Sequence, residues 1–534
     1  MQIVEGRRLG KQVVQNVIRH VGQAETALQL SELTNLARSL ILELTQNRSQ
    51  PYLPGIDPEQ VDTTDKALKL ESEKTKDFEV DVRNLREEQR VITGIHEVFG
   101  KLYETLGYQQ ILPEADKVLR SCVLARVANP SSKLRTAAFL EEDYGIKLPV
   151  DRIYRMMDKL ASIEEKVKSF VGKTTLSLFS DPVNILFFDV TTLYFESFQS
   201  DDLRHPGFSK DNKFKEGQVV LALVTTEGGI PVTYELFPGN TYEGHTLITM
   251  IENLEERFEI AHIVLVADRA MFNEENLKLM ESKKIKYIVA AKLRSLPRKK
   301  TNEILGSKTF SPMEIEEELH WVRDFEHKGR RLVVSYNSSR AKKDAADRQR
   351  LIDRLMKKVK DGKAKLQDLI PNRGTTRFLK IESGQACVDE DKIKLDQEWD
   401  GLHGVITNIE DQKSQQILSR YRGLWQIEEA FRINKHDLKM RPIYHWTEER
   451  IKAHIALCFI AFSLVKQALH RIKIQSEPMS FETLRNHLLH AQASIVIDNR
   501  TKRKYVIPSQ ATADQKRIYS VFGLKRTDRP HLAC

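Results

Sequence analysis

The chain has 534 residues, and its 84 basic and 75 acidic residues give a formal net charge of +9. This length predicts three or four folding units of roughly 150 residues each, and so small a charge does not by itself establish a nucleic-acid partner. The four cysteines lie far apart and match no zinc or disulfide spacing, which favours a reducing compartment, the cytoplasm. No secretion signal and no apolar run near the roughly 20 residues of a membrane span is present, so no membrane partner is expected.

The basic residues are clustered more than their number suggests. Clusters occur at 292–300, from Arg330 to Lys343, from Arg432 to Lys452, and at 500–504. Lysine and arginine bind phosphates by displacing counterions, so a polyanionic partner fits this distribution. For any single cluster, a solvated surface is the simpler interpretation.

Residues 1–178 are predicted to be a mainly helical region. Residues 1–50 contain few helix breakers, a Pro/Gly-rich break follows at 49–59, and helical patterning runs from about 92 to 178. We expect one helix over 134–144, ended by Gly145, and a second opened by Pro149. A basic face on the second helix is suited to a DNA groove, with a plain helical hairpin as the equal alternative; this face carries Arg152, Arg155 and Lys159.

From residue 183 onwards, strands alternate with helices. Strands are predicted at 183–197, 218–226, 231–238, 262–268 and 287–293, with a hairpin turn at 227–229 and helices near 246–258 and 273–284. The last two strands are apolar throughout, which is typical of parallel strands covered on both faces. The order predicts an α/β fold with a mixed sheet.

Residues 294–400 interrupt this pattern with a charged, strand-rich segment. Strands are predicted in RRLVVSYN, TTRFLKIES and DKIKLDQEW, and a charged helix at about 340–361. Two helices separated by Pro442 are expected over 411–470, the second one buried, and a hairpin is expected around DNRTKRK. The predicted units are 1–178, 179–293, 294–400, 401–470 and 471–534, the last of which is a candidate for dimer or DNA contacts.

Two aspartates follow apolar strands. Asp189 comes after Val183 to Phe188, and Asp268 is the last residue of the predicted strand at 262–268. Ligands of open α/β sheets bind at the carboxyl ends of the strands, so both side chains are expected at one sheet edge. Either aspartate alone is also explained as a turn residue or a helix cap.

A third acid is singled out by helical spacing. One helix face is predicted to carry Tyr421, Leu424, Trp425, Glu428, Phe431 and Lys435. Glu428 would then face the core, with Glu429 in solvent and Trp425 in the core. Three converging carboxylates suit Mg²⁺ or Mn²⁺, and a pair of such ions supports in-line phosphoryl transfer.

At these residues the sequence resembles the DDE transposases of bacterial insertion sequences, in the IS-four-like group. The hallmark of that group is Tyr-x2-Arg-x3-Glu-x6-Lys, and Tyr421, Glu428 and Lys435 match it. Leu424 stands at the arginine position, and Arg422 is the candidate replacement. DRAMF after the second aspartate resembles the second motif of the family, and 294–400 falls where the family has its insertion.

The resemblance implies a ribonuclease-H-like core with a strand-rich insertion. It implies that two Mg²⁺ ions, which Mn²⁺ can replace, are held by Asp189, Asp268 and Glu428. It also implies that Tyr421 and Lys435 contact DNA phosphates, with Arg422, Arg269 and Arg432 as further candidates. His436 and His454 are expected to be packing or surface residues.

The implied function is hydrolytic nicking of double-stranded DNA at the element ends, followed by strand transfer by the freed 3′-hydroxyl. A homodimer at the bacterial nucleoid would bring two ends together. Alternatives are a metal-dependent nuclease on the same fold, a domesticated transposase that only binds DNA and, more distantly, a glycosidase with two acids.

Overall fold

A computed structural model describes most of the chain. The described residues are 1–9, 12–22, 80–178, 185–195, 200–207, 216–242, 245–258, 264–269, 273–360, 378–382 and 385–533, with the single residues Leu30, Leu33, Thr34, Ala37 and Ile41. The predicted Pro/Gly-rich break at 49–59 lies outside them.

The chain begins with a β-hairpin rather than a helix. Strand β1 (Gln2–Leu9) pairs with β2 (Gln12–His20), from Gln2 opposite His20 to Leu9 opposite Gln12. The helical prediction is therefore wrong for this segment of residues 1–50. The absence of helix breakers misled it, because the segment is rich in β-branched residues that favour strands: Ile3, Val4, Val13, Val14, Val17 and Ile18.

The helical pattern predicted over residues 92–178 is confirmed. After strand β3 (Leu85–Ile92) come five α-helices: α1 (Gly94–Thr105), α2 (Asp116–Ala128), α3 (Lys133–Tyr144), α4 (Val150–Ser162) and α5 (Glu164–Leu176). Gly145 ends α3 in the left-handed conformation, with φ of 69°, and Pro149 precedes α4 as predicted.

A nine-stranded mixed sheet forms the centre of the described fold. Its strands are β4 (Ile185–Tyr194), β5 (Gln218–Thr226), β6 (Pro231–Pro238), β7 (Val264–Ala267), β8 (Lys286–Ala290), β9 (Ser311–Ile315), β10 (Glu318–His327), β11 (Arg330–Tyr336) and β14 (Leu402–Thr407). Their spatial order is β6-β5-β4-β7-β8-β14-β11-β10-β9. Only the pairs β4/β7 and β7/β8 are parallel. The predicted α/β fold with a mixed sheet is confirmed.

The strand-rich segment after β8 extends this sheet. Strands β9 to β11 join the core through β14, whose register places Val405 opposite both Ala290 of β8 and Val333 of β11. These strands therefore do not form a sheet of their own. A separate hairpin is formed by β12 (Leu379–Glu382) and β13 (Gln385–Val388).

Four α-helices accompany the strands between residues 246 and 397: α6 (Thr246–Phe258), α7 (Glu274–Ser282), α9 (Ser338–Lys360) and α10 (Glu390–Gln397), with the short α8 (Arg298–Leu305) between α7 and α9. The predicted strand DKIKLDQEW is wrong, because it forms α10. Asp389 caps this helix by accepting a hydrogen bond from the backbone N–H of Lys392.

The helical region after β14 has more pieces than the two predicted. It contains α11 (Ser414–Arg422), α12 (Trp425–Arg432), a π-helical turn (Ile433–Asp437) and α13 (Glu448–Gln475). Among the described residues, α13 is the one helix long and apolar enough to cross a membrane, but 89% of its most apolar window is buried inside the protein. It is the buried helix that the sequence predicted.

The C-terminal segment pairs with the N-terminal region. It contains α14 (Phe481–Leu489), β15 (Gln492–Asp498), β16 (Lys504–Pro508), α15 (Ala513–Val521) and β17 (His531–Leu532). The predicted hairpin is β15/β16, and β15 also pairs with β3. Strand β3 and the three C-terminal strands thus form a four-stranded sheet.

The two faces of the central sheet belong to different parts of the core. Phe187, Leu193 and Val266 pack in a cluster with α12, α13 and the N-terminal helices. Leu186, Phe188 and Ala267 pack on the opposite face with α6 and α7. Successive strand residues face opposite sides of the sheet. The alternation therefore also determines which face Asp189 and Asp268, the next residues along the two strands, point towards.

Candidate active site

Asp189 and Asp268 lie side by side on neighbouring parallel strands. The parallel register pairs Phe188 of β4 with Ala267 of β7, and each aspartate is the next residue. Neighbouring strands are about 4.8 Å apart. The strand register therefore brings these two residues together, as the sequence predicted.

The strand context of Asp189 differs from the prediction. β4 does not end at Asp189 but continues to Tyr194, paired antiparallel with β5, where Leu223 faces Asp189. Only the parallel pairing with β7 stops before it. Asp189 Oδ1 accepts a hydrogen bond from the backbone N–H of Val190 at 2.7 Å.

Both aspartates belong to the sheet face that α12 covers. Asp189 has the same strand parity as Phe187, and Asp268 has the same parity as Val266, and these two apolar residues pack in the cluster with Ile427 and Ala430 of α12. Both aspartates are half-buried. A capping role for Asp268 is excluded, because the side chain of Asn273 caps α7.

A close helix–strand approach places α12 over β4. A Cβ atom on Gly423 would lie 2.8 Å from Cζ of Phe187, so a side chain here would force the helix away from the strand. Gly423 also separates α11 from α12. The single continuous helix predicted for this segment is therefore wrong.

The burial of α12 reverses three predictions. Its buried face carries Ile427, Ala430 and Phe431, whereas Glu428 is exposed. Glu429, predicted to be solvated, forms an ion pair with the buried Lys466 at 3.2 Å. Trp425, predicted to be core, is 55% exposed. The buried face of α12 therefore shares only Phe431 with the face that the spacing predicted.

Tyr421 connects Glu428 with the aspartate pair. Burial raises the pKa of the Tyr421 phenol, and the negative charges of Asp268 and Glu428 raise it further, against the opposing effect of Arg269 and Arg340. The charges of two of the three candidate acids therefore raise the pKa of the same tyrosine. Within the described part of the chain, neither Asp268 nor Glu428 forms a hydrogen bond or ion pair.

His403 and Arg340 are site residues that the sequence did not single out individually. The ring of His403 on β14 lies 4.9 Å from the Tyr421 ring. Burial, with help from Arg340 and Arg269, lowers the pKa of His403 to about 3, so the imidazole is neutral near pH 7. Arg340 falls within the basic cluster from Arg330 to Lys343, which was the available signal; His403 had none.

Three of the four remaining predicted phosphate contacts have intramolecular partners. Arg422 pairs with Glu316 at 3.2 Å and Glu318 at 3.0 Å, and Arg432 pairs with Asp437 at 3.1 Å. Lys435 Nζ lies 5.7 Å from the Phe431 ring centroid, and Arg269 is exposed. A DNA role for these residues stays a prediction.

The predicted basic face of α4 is exposed. Arg152, Arg155 and Lys159 are all on the surface, opposite the buried Ile153, Met157 and Leu160. Arg155 pairs with Asp151, and Lys159 lies 3.9 Å from Glu114. The geometry fits a DNA-facing helix and a solvated hairpin equally, so this role too stays a prediction.

The predicted histidine roles fit the structure. His454 is buried, with Nε2 3.0 Å from the carbonyl oxygen of Met440, and His436 is exposed. Neither contacts the three acids.

The three acids do not form a closed metal site. Among the described residues, no three side chains of His, Cys, Asp or Glu lie close enough to hold an ion. Their chemistry nevertheless suits Mg²⁺ or Mn²⁺, which take oxygen ligands. Two carboxylates are adjacent on one face, and Glu428 lies on the helix that covers this face, with no ion pair to any described residue. The metal role of Asp189, Asp268 and Glu428 stays a prediction.

The chain is similar to two solved transposase complexes. The first is a piggyBac transposase synaptic complex with hairpin DNA, at 10% identity and a TM-score of 0.39, covering 74% of this chain and 76% of that chain. The second is a Mos1 transposase paired-end complex with the left transposon end, at 14% identity and a TM-score of 0.15, covering 50% and 77%. No curated protein sequence matches.

The chain also matches a protein-family model. The family described as "Transposase DDE domain" matches residues 182–464, which is more than half of the chain. The matched segment includes β4, β7 and α12, which carry the three acids. The chain therefore belongs to the transposase DDE domain family.

Proposed function

We propose that this protein is the DNA transposase of an insertion sequence, with Asp189, Asp268 and Glu428 as its catalytic acids. The observation that carries the proposal is the adjacency of Asp189 and Asp268 on the face covered by the glutamate helix. Membership of the DDE domain family supports it.

Each acid has a role that follows from its position. The two aspartates are held by β4 and β7, which are rigid elements of the central sheet. Glu428 is held by α12, which Gly423 allows to approach β4. The three carboxylates would hold one or two divalent ions, which stabilise charge on the attacking and leaving oxygens of phosphoryl transfer.

The residues around the acids would position the DNA backbone. Tyr421, neutral because its pKa is raised, is a hydrogen-bond donor for a phosphate oxygen. Arg269 and Arg340 supply positive charge on the same side, and Lys435 follows Glu428 along the chain. These groups bind and orient phosphates regardless of base sequence.

The proposed reaction has two steps. Water attacks the phosphodiester at each element end, which leaves a 3′-hydroxyl and a 5′-phosphate. The 3′-hydroxyl then attacks a second phosphodiester and releases the 3′-hydroxyl of the broken strand. We propose that two chains bring two ends together, in the cytoplasm at the nucleoid.

The test uses a plasmid that carries the gene's own flanking DNA. We expect Mg²⁺-dependent nicks at short inverted repeats, and strand-transfer products joined to target DNA. Nicking without joined products would favour a nuclease on the same fold. Binding of the flanks without any nick would favour a domesticated, non-catalytic protein.

A further inference from the structure

We propose that the far end of β4 binds an unpaired segment of a DNA strand, by stacking bases on Trp446 and Tyr444. This inference rests on the proposed transposase function and adds a binding surface outside the acid site. The surface comprises Tyr194, Phe195, Arg204, Arg441, Tyr444 and Trp446.

Two large aromatic side chains are exposed side by side in this surface. Tyr444 is 61% exposed and Trp446 is 57% exposed, whereas Ile443 before them is 2% exposed. His445 between them is half-buried. Only His445 separates the two residues, so their Cα atoms are at most about 7 Å apart. Both rings therefore face solvent from one short segment.

The segment is attached to the strand that carries Asp189. The backbone N–H of Ile443 donates to the carbonyl oxygen of Tyr194 at 3.3 Å. Phe195 and Ile443 form a parallel bridge. Tyr194 is five residues beyond Asp189, or about 16 Å along the strand. A DNA strand cut at Asp189 is thus within a few nucleotides of this surface.

A buried arginine supports the exposed indole from beneath. The Arg204 guanidinium carbon lies 5.6 Å from the Phe195 ring centroid and 5.8 Å from that of Trp446. Arg204 is 6% exposed, and its Nε lies 2.7 Å from Asp201 Oδ2. This stack holds one face of Trp446 and leaves the side chain more than half exposed, as a preorganised stacking surface requires.

The charge of the surface favours nucleic acid over an apolar partner. The Arg441 guanidinium carbon lies 5.4 Å from the Tyr194 ring centroid, and the segment falls within the basic cluster from Arg432 to Lys452. Exposed aromatic rings among cations are the combination that binds single strands, because any base can stack on a ring. Bases in an intact duplex are already stacked, so duplex binding would not need the rings.

The test compares single-stranded and duplex DNA binding by the full chain in EDTA. The probes are a labelled oligothymidylate of about twenty nucleotides, longer than one stacking site, and a duplex of equal length. We expect Trp446→Ala to weaken oligothymidylate binding about ten-fold or more, with duplex affinity nearly unchanged. Trp446→Phe should retain most of the affinity.

Two variants make the result specific. Trp321→Ala removes another exposed tryptophan, 42% exposed on β10, and should not change binding. Tyr444→Ala removes a ring that is not part of the Arg204 stack. It should also weaken oligothymidylate binding, and it replaces Trp446→Ala if that variant does not fold.

Three outcomes would overturn the inference. One is unchanged oligothymidylate affinity in the folded variants, and another is an equal loss for single strands and duplex. The third is a loss of self-association, measured by sedimentation, with DNA affinity intact, which would assign the surface to a second copy of the chain. Binding in EDTA requires no cleavage, so these outcomes are separate from failure of the proposed nicking activity.

Discussion

Carboxylates occur in two very different surroundings in this protein. Where α5 meets β6, Glu235 lies 2.9 Å from the buried Lys168 and 2.5 Å from Arg257, and Glu164 lies 3.5 Å from Lys168. At the sheet edge beside α12, Asp268 and Glu428 form no ion pair with any described residue. Compensated acids connect elements of the fold, whereas acids without a cation are available to a ligand.

The largest expected effect comes from the acids without a cation. Asp268→Asn or Glu428→Gln should lower nicking about a thousand-fold or more, because several kcal/mol of charge stabilisation is lost. Stability should change by less than about 1 kcal/mol, since no described ion pair is broken. Single-turnover nicking and urea unfolding of the same preparations measure both.

The sequence-based prediction for Asp189→Asn is the same loss of nicking. Binding of the flanking DNA should survive in all three variants, which separates lost chemistry from lost folding. Normal nicking by any one of them would remove that residue from the site.

Substitutions in the ion-pair cluster around Lys168, where α5 meets β6, should instead lower stability. Burial lowers the pKa of Lys168, but Glu164 and Glu235 outweigh it and keep the side chain charged. Lys168→Met should destabilise the protein by about 3–5 kcal/mol, because it leaves the buried Glu164 without its described ion pair and Glu235 with Arg257 alone. Lys159→Met, at an exposed pair with Glu114, is the matched control and should cost less than about 1 kcal/mol. Similar unfolding midpoints for the two variants would contradict the comparison.

A buried cation without an acid partner in its described surroundings should make stability depend on pH. Burial lowers the pKa of Lys133 to about 7, with Arg126 acting in the same direction and Cys458 and Cys122 opposing. Lys133 Nζ donates to Nδ1 of His454 at 3.2 Å.

The sign follows from proton uptake on unfolding. Between pH 7 and the unfolded pKa near 10.4, the unfolded chain binds more protons at Lys133, so stability rises with pH by up to about 1.4 kcal/mol per pH unit. Lys133→Met should remove most of this rise. Urea unfolding near pH 7.5 and 9.5 checks it, and an equal slope in wild type and variant would contradict it.

The smallest expected effect compares two neighbouring glutamates. Glu429→Gln leaves the buried Lys466 without its ion pair and should destabilise by about 1–2 kcal/mol, while nicking by the folded protein persists. Glu428→Gln should instead lose nicking, with little change in stability. If Glu429→Gln lost nicking but kept full stability, Glu429 rather than Glu428 would be the catalytic acid.

Local sequence patterns predicted much of the fold. Apolar runs and turn residues located β4 to β8, the helical region over 92–178, and α3 and α4 within it, and Gly145 and Pro149 marked helix boundaries correctly. Sequence patterns gave wrong predictions for two segments whose local residue spacing does not indicate the structure they form. The hairpin at 2–20 lacked an alternating polar face, and DKIKLDQEW has a strand-like alternation but forms a helix capped by Asp389.

The candidate site was predicted in part for the same reason. An apolar strand followed by an aspartate is visible in the sequence, so Asp189 and Asp268 were found. The exposure of Glu428 was not predicted, because α12 packs with Ile427, Ala430 and Phe431 inwards instead of Glu428. His403 reaches Tyr421 only because β14 enters the sheet beside β8.

The sequence by itself determined which residues have the chemistry: three acids, a tyrosine and basic clusters at recognisable spacings. Their arrangement was decided by tertiary structure. Strand register placed the two aspartates side by side, helix packing turned Glu428 outwards and Glu429 onto Lys466, and a stack on Arg204 fixed Trp446. These outcomes depend on contacts between residues far apart in the chain, which local periodicity does not encode.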